Sequence, residues 1–261
     1  MMFGGGTLTR QISFWGLSAS MAPGSLNPFI YVVVGALFAD AAIEMAFVTS
    51  MVAYLHQAAH GPFRVADSSG SSFLLSGNPA KLIVNQGHTT NGAAGTGVVL
   101  VGIGGFLTLA LESRSRKRYG ESSPVFLLWA LVVILSWLLT LVALIYTFTV
   151  TAATSHQSIN LTTASVNSYP AVYPENQWTP ETWFKTVLAL PLASSSDSNQ
   201  IRQHLHIMQG WRWNLIPMLI LGFILVVLVI LELLGYGESR GQYGTTSSSD
   251  NEARTKSQLK E

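Results

Sequence analysis

The chain contains no cysteine. Within these residues that excludes a disulfide-stapled ectodomain, a Cys-ligated zinc and a palmitoylated thiol. Charge is the next scarcity: 10% of the 261 residues are Asp, Glu, Lys or Arg, against ~25% in an ordinary soluble domain. The net charge is only +1, and outside one cluster the basic residues are scattered, so no nucleic-acid partner is expected. A nucleotide-binding glycine loop, a nucleophile elbow and a metalloprotease His-Glu pattern are all missing. No catalytic residue and no cofactor are therefore expected, and the chain reads as a non-enzyme.

What the chain does have is apolar length. Hydrophobic residues make up 49% of it and mean hydropathy is +0.37. They concentrate in uncharged or nearly uncharged runs of the ~20 residues that a helix needs to cross a ~30 Å hydrocarbon core. The spacing predicts an all-α fold, a four-helix transmembrane bundle with spans at about 28–53, 95–112, 125–150 and 213–235. These make a membrane domain over 28–236, with loops 54–94 and 151–212 on one side and a short loop, 113–124, on the other. Residues 1–27 read as a flexible N-terminal stretch and 237–261, polar and Ser-rich, as a disordered tail.

Orientation follows from Arg114, Arg116, Lys117 and Arg118, a basic knot between spans two and three. Such clusters are retained in the cytosol. With the knot inside, nine of the 14 Lys and Arg residues are cytosolic and five are not. The sequon Asn160-Leu161-Thr162 then falls in the second outer loop, where Asn160 is an N-glycosylation acceptor. The expected address is the plasma membrane or an endomembrane, with both termini cytosolic and the lipid bilayer as the obligatory partner.

Three sets of residues carry the candidate chemistry. Asp40 and Glu44 lie mid-span, four apart and so on one helix face. A carboxylate at that depth costs ~2.5–3.5 kcal/mol on the insertion scale and usually faces a bundle interior or cavity. The pair is either an intramembrane site for a cation or proton, or a structural pair, protonated or bonded to Thr108, Thr140 or Tyr146. A water-accessible cavity around them favours the first, a dry hydrogen-bonded contact the second. His56 and His60 have the i, i+4 spacing that suits a metal, although solvated or locally bonded rings are the ordinary outcome for loop histidines. Glu112, beside the knot, reads as a surface group.

In the second outer loop, Trp178 to Trp183 reads as a helix start, with Thr179 capping, Pro180 first and Glu181 in the positive first turn. Trp178 is placed to staple onto Trp183. A second short helix starts near Asp197 or Ser198, giving a small helical extracytoplasmic cap. Trp178, Trp183, Phe184, Trp211 and Trp213 are the candidate outer interaction surface, fit for another membrane protein or a second copy of this chain.

In topology the chain resembles tetraspanins, with inside termini and a larger second loop. It departs from them in having no loop cysteines, and from claudin-like proteins in having no Trp-Cys-Cys signature. Trp178 to Pro191 and His204 to Pro217 resemble a group of small multi-pass proteins of filamentous fungi, which implies a membrane address and no particular activity. The leading expectation is a non-enzymatic scaffold or interaction protein. The alternative is a small ion or proton transport protein using Asp40 and Glu44.

Overall fold

Leu127, Leu128, Leu131, Leu135, Leu138, Val142 and Ile145 are all exposed on one long helix, while its buried face carries Ser136, Thr140, Ala143, Thr147 and Thr151. A soluble helix shows the reverse polarity. This inversion is what a helix needs when apolar lipid is its solvent and its few polar groups must turn inward. The computed structural model of the chain describes residues 10–14, 17–21, 26, 28–57, 62–66, 72–79, 81–119, 121–159 and 177–258, with side chains over 26–234.

The elements are a hairpin of β1 (Arg10–Phe14) and β2 (Leu17–Met21), then helix α1 (Pro28–Gln57), then a second hairpin of β3 (Phe63–Ala66) and β4 (Ser72–Leu75). Helix α2 (Asn85–Thr96) runs through a π-helical stretch, Gly97–Ile103, into α3 (Gly104–Tyr119). Next come α4 (Pro124–Ala153), the short α5 (Pro180–Leu188) and α6 (Ser195–Gln258). Among the described residues four helices are long and apolar enough to cross a membrane: 28–57, 85–119, 124–153 and 195–234. α1 packs along α6, and α4 packs along both α6 and α2, closing a four-helix bundle.

Every span is longer than its apolar run. Ser123 caps α4, its side chain accepting from the Val125 N–H with Pro124 as the first helical residue, as the missing proline N–H allows. The second span starts ten residues earlier than the hydropathy indicated, because Gln86, Thr90, Ala93 and Ala94 bury against neighbouring helices. Likewise α6 starts at Ser195 and runs without a break into span four. The expected second cap helix is thus the first part of span four, and Pro217 sits in a helix interior rather than a first turn. Neighbouring helices make an interior proline tolerable in a membrane bundle. Beyond Leu234 the backbone stays helical to Gln258, where the sequence suggested disorder, and the β1–β2 hairpin falls within the stretch read as flexible. In physical terms, strand pairing and helix propagation both satisfy backbone groups without needing an apolar signal.

Two buried clusters divide the molecule. The bundle core includes Ile30, Val34, Leu37, Val101, Phe126, Trp129, Leu215 and Leu225. The cap core gathers Val48, Met51, Tyr54, Phe63, Val65, Leu75, Trp178, Trp183, Phe184, Ile201, Met208 and Trp211. The cap is therefore helix plus hairpin, not helix alone. The loop regions are stitched by backbone pairing: the Trp178 N–H donates to Lys81 O at 3.0 Å and the Ile83 N–H to Trp178 O at 2.7 Å. On the far side of α5, the Ala66 N–H donates to Pro191 O and the Ala193 N–H to Arg64 O. The α5 start matches expectation, with Thr179 as N-cap, Pro180 first and a capping box completed by Thr182.

Close helix contact in the bundle rests on glycine. A Cβ on Gly102 would lie 2.5 Å from Cδ2 of Phe38, and one on Gly105 2.9 Å from the Trp129 ring. Small residues allow this approach between membrane helices. Gly102→Ala is expected to force Phe38 off its site and lower stability by about 1–3 kcal/mol, read as earlier thermal unfolding in detergent. Gly92→Ala, with nothing within 4 Å of the added carbon, should unfold no earlier than the native protein.

Candidate functional site

Leu37 on α1, Gly97 at the end of α2, Thr140 on α4 and Met218 on α6 line one small enclosed cavity of about 10 Å³. They therefore share a level in the bundle. Seven residues is nearly two helical turns, ~10 Å along the axis with the same face kept. Stepping seven residues from each toward the cap leads to Glu44, Thr90, Thr147 and Trp211. All four are at most 2% exposed. The Glu44 carboxylate oxygens, the hydroxyls of Thr90 and Thr147 and the indole N–H of Trp211 all lack a hydrogen-bond partner among the described residues. One turn closer to the cap the pattern repeats: Gln86 (amide N and O) and Thr151 (hydroxyl) are buried and unpartnered.

Buried polar groups are bonded in the great majority of cases. A layer in which all four spans contribute orphans is a place for something the protein chain itself does not supply. The atoms are a carboxylate, two or three hydroxyls and an amide carbonyl, with amide and indole N–H donors. Such an oxygen-rich set suits water, a proton or a hard cation, and nothing soft.

Asp40, one turn from Glu44, is half-buried, with its Oδ2 buried and unpartnered. The Asn214 side-chain amide of α6 lies alongside the pair: it donates, at a long 3.4 Å, to the Asp40 backbone carbonyl and approaches the Glu44 carboxylate without a well-formed hydrogen bond to it. Thr140, an expected partner, donates to the Ser136 carbonyl instead. The surroundings of the pair are thus neither an open cavity nor a hydrogen-bonded contact. The cavity below is large enough for about one water.

The other candidate residues fall out differently. Trp178, Trp183, Phe184 and Trp211 are buried to 2% exposure or less, so four of the five proposed interface residues form the inside of the cap and not a surface. Phe63, Val65 and Leu75 of the β3–β4 hairpin belong to the same buried cluster. Trp213 alone is exposed, with an edge-on contact to Phe148. Glu181, inside the cap, pairs with Lys185 at 2.7 Å and Arg212 at 3.3 Å. His56 is exposed and its Nδ1 is 2.8 Å from the Val52 carbonyl. His60 and Asn160 lie outside the described residues. His204 stacks on Tyr54, ring centroids 3.6 Å apart. Among the described residues no three His, Asp or Glu side chains gather as metal ligands do.

At the opposite end the basic knot splits. Arg116 turns inward, 6% exposed. Its Nε donates to Glu112 at 2.6 Å and its Nη1 to Glu232 at 2.5 Å. Glu112 also accepts from the Ser122 hydroxyl and the Ser123 N–H. It is fully buried, not the surface group the sequence suggested.

Four helices of bilayer length, apolar outward and polar inward, define a multi-pass integral membrane protein. Set against protein-family models, curated proteins and solved structures, the chain matches none of them.

The polar layer was open to sequence reading only in part. On α4, Ser136, Thr140, Thr147 and Thr151 recur at spacings of four and seven in an otherwise apolar run, which is a legible stripe. Gln86 and Thr90 were hidden because a polar, glycine-rich stretch gives no span signal.

Proposed function

We propose that this protein is a small intramembrane proton or cation transport protein, with Glu44 as its binding group and Asp40 one turn away on the same helix. The observation that carries the reading is a fully buried carboxylate, both oxygens unpartnered, within a layer of unpartnered groups from all four spans. An uncompensated buried carboxylate costs several kcal/mol, and intramembrane acids that persist at such a cost mark ion and proton paths. The scaffold reading, the leading expectation from sequence, drew on an aromatic outer cap and a glycine-rich second span; four of the five aromatics are buried and Gly102 and Gly105 pack within the bundle, which weakens it. On the same reading the knot end faces the cytosol and the cap faces out.

The test is proton, sodium and potassium flux into proteoliposomes. Native protein should exceed empty vesicles, and Glu44→Gln should bring the flux close to that of empty vesicles, since the intramembrane binding group is gone. Asp40→Asn should reduce it less. Glu44→Gln should also unfold at the same or a higher temperature than native, because it replaces a buried acid that has no firm hydrogen-bond partner with a neutral amide of the same shape. If neither protons nor these cations cross above background, transport is wrong and the scaffold reading stands. A large fall in melting temperature would instead mark the carboxylate as structural.

A further inference from the structure

We infer that the outer face of α3 binds the headgroup of an anionic phospholipid carrying a phosphate monoester. With Arg116 turned inward onto Glu112 and Glu232, the other three basic residues of the knot face away from the bundle. Arg114, Lys117 and Arg118 stand at i, i+3 and i+4, one side of the helix, and all three are exposed. Arg118 lies 5.5 Å from the centroid of the Tyr119 ring. Arg114 and Lys117 have no hydrogen bond or ion pair among the described residues.

Between these cations the small side chains of Ala110 and Ser113 leave an open hollow of about 460 Å³, lined by those two residues with Arg114, Lys117 and Arg118. Among the described residues no carboxylate lines it; the nearest acid on the helix, Glu112, points into the bundle. The same face continues toward mid-span as Ile103, Leu107 and Leu111, exposed by 50, 64 and 53%. Three cations at the end of an exposed apolar strip match an amphiphile rather than a soluble anion. A phosphate monoester carries about −1.5 to −2 and the phosphodiester of a phosphoinositide about one more, which together balance three unpaired cations. Guanidinium forks add bidentate geometry to the attraction.

The experiment uses full-length protein in phosphatidylcholine nanodiscs doped in turn with phosphatidylinositol phosphate, phosphatidic acid or phosphatidylserine, with bound lipid counted by native mass spectrometry. The monoester lipids should be retained at one per chain and phosphatidylserine should not. The triple change Arg114→Gln, Lys117→Gln, Arg118→Gln should weaken retention on the order of a hundredfold, from three cations near a charged surface. Ala110→Leu, which fills the hollow and leaves every charge in place, should also weaken it. Excess inorganic phosphate should fail to displace the lipid. Equal retention of phosphatidylserine, or native-like retention by Ala110→Leu, would overturn the site and leave only general surface electrostatics. Displacement by inorganic phosphate would show an anion site with no lipid preference and would equally overturn it.

Discussion

Arg116→Leu should lower the stability of the bundle by about 3–5 kcal/mol, the usual result of removing one partner from a buried ion pair. The guanidinium is the shared cation of two carboxylates 120 residues apart in sequence, Glu112 on α3 and Glu232 on α6. It also lies 5.7 Å from the centroid of the Phe126 ring of α4. Its loss would leave both acids buried and facing one another, with Glu112 helped only by Ser122 and Ser123. The size scaling for chains of this length turns that loss into roughly 6–20 °C of melting temperature, measurable in detergent micelles. Adding Glu232→Gln to Arg116→Leu should recover part of the loss, because one of the two stranded charges is gone. Were Arg116→Leu to melt within about 2 °C of native, the ion pairs would not be holding these three helices together.

The second large effect is expected in the cap. Trp183 is fully buried beside Phe184, ring centroids 4.8 Å apart, and faces Phe63 of the hairpin at 6.4 Å. Trp183→Ala removes one of the largest fully buried side chains and should cost about 3–5 kcal/mol. The damage should be local, since the bundle core is a separate cluster. Limited proteolysis should therefore cut between 177 and 193 much faster while the four spans stay protected. Trp213→Ala is the matched control: that ring is 55% exposed, and its loss should change stability by no more than about 0.5 kcal/mol. Equal proteolysis of the two variants would contradict the cap core as described.

These residues also show where sequence reading reaches and where it stops. The four spans were legible because lipid imposes a length and an absence of charge that a window of sequence displays directly. The Thr179 cap was legible because capping is local chemistry over four residues. Burial of Trp178 and Trp183 was not, since it depends on β3 and β4 arriving from more than a hundred residues upstream. Arg116 looked like a member of a surface cluster for the same reason: its second carboxylate is 116 positions away. Span two was read short because Asn85 to Gly95 has no apolar signal, and neighbouring helices hold it instead. Asp40 and Glu44 were singled out by depth alone. That Glu44 shares its level with Thr90, Thr147 and Trp211 needed the registers of four helices at once.

The unbroken run of α6 from cap into bilayer also imposes an order on biosynthesis. Ile201, Met208 and Trp211 belong to the helix of the last span, yet they complete the cap core with Val48, Met51 and Tyr54 of the first. A ribosome delivers β3, β4 and then Trp178, Trp183 and Phe184 before the last part of their cover, Ile201, Met208 and Trp211, exists. Until that part of α6 is in place these indole and phenyl rings are uncovered on one side, and open there to chaperones and to aggregation. Quality control that watches for exposed aromatics would thus be reporting, in this chain, on whether its last helix has been inserted.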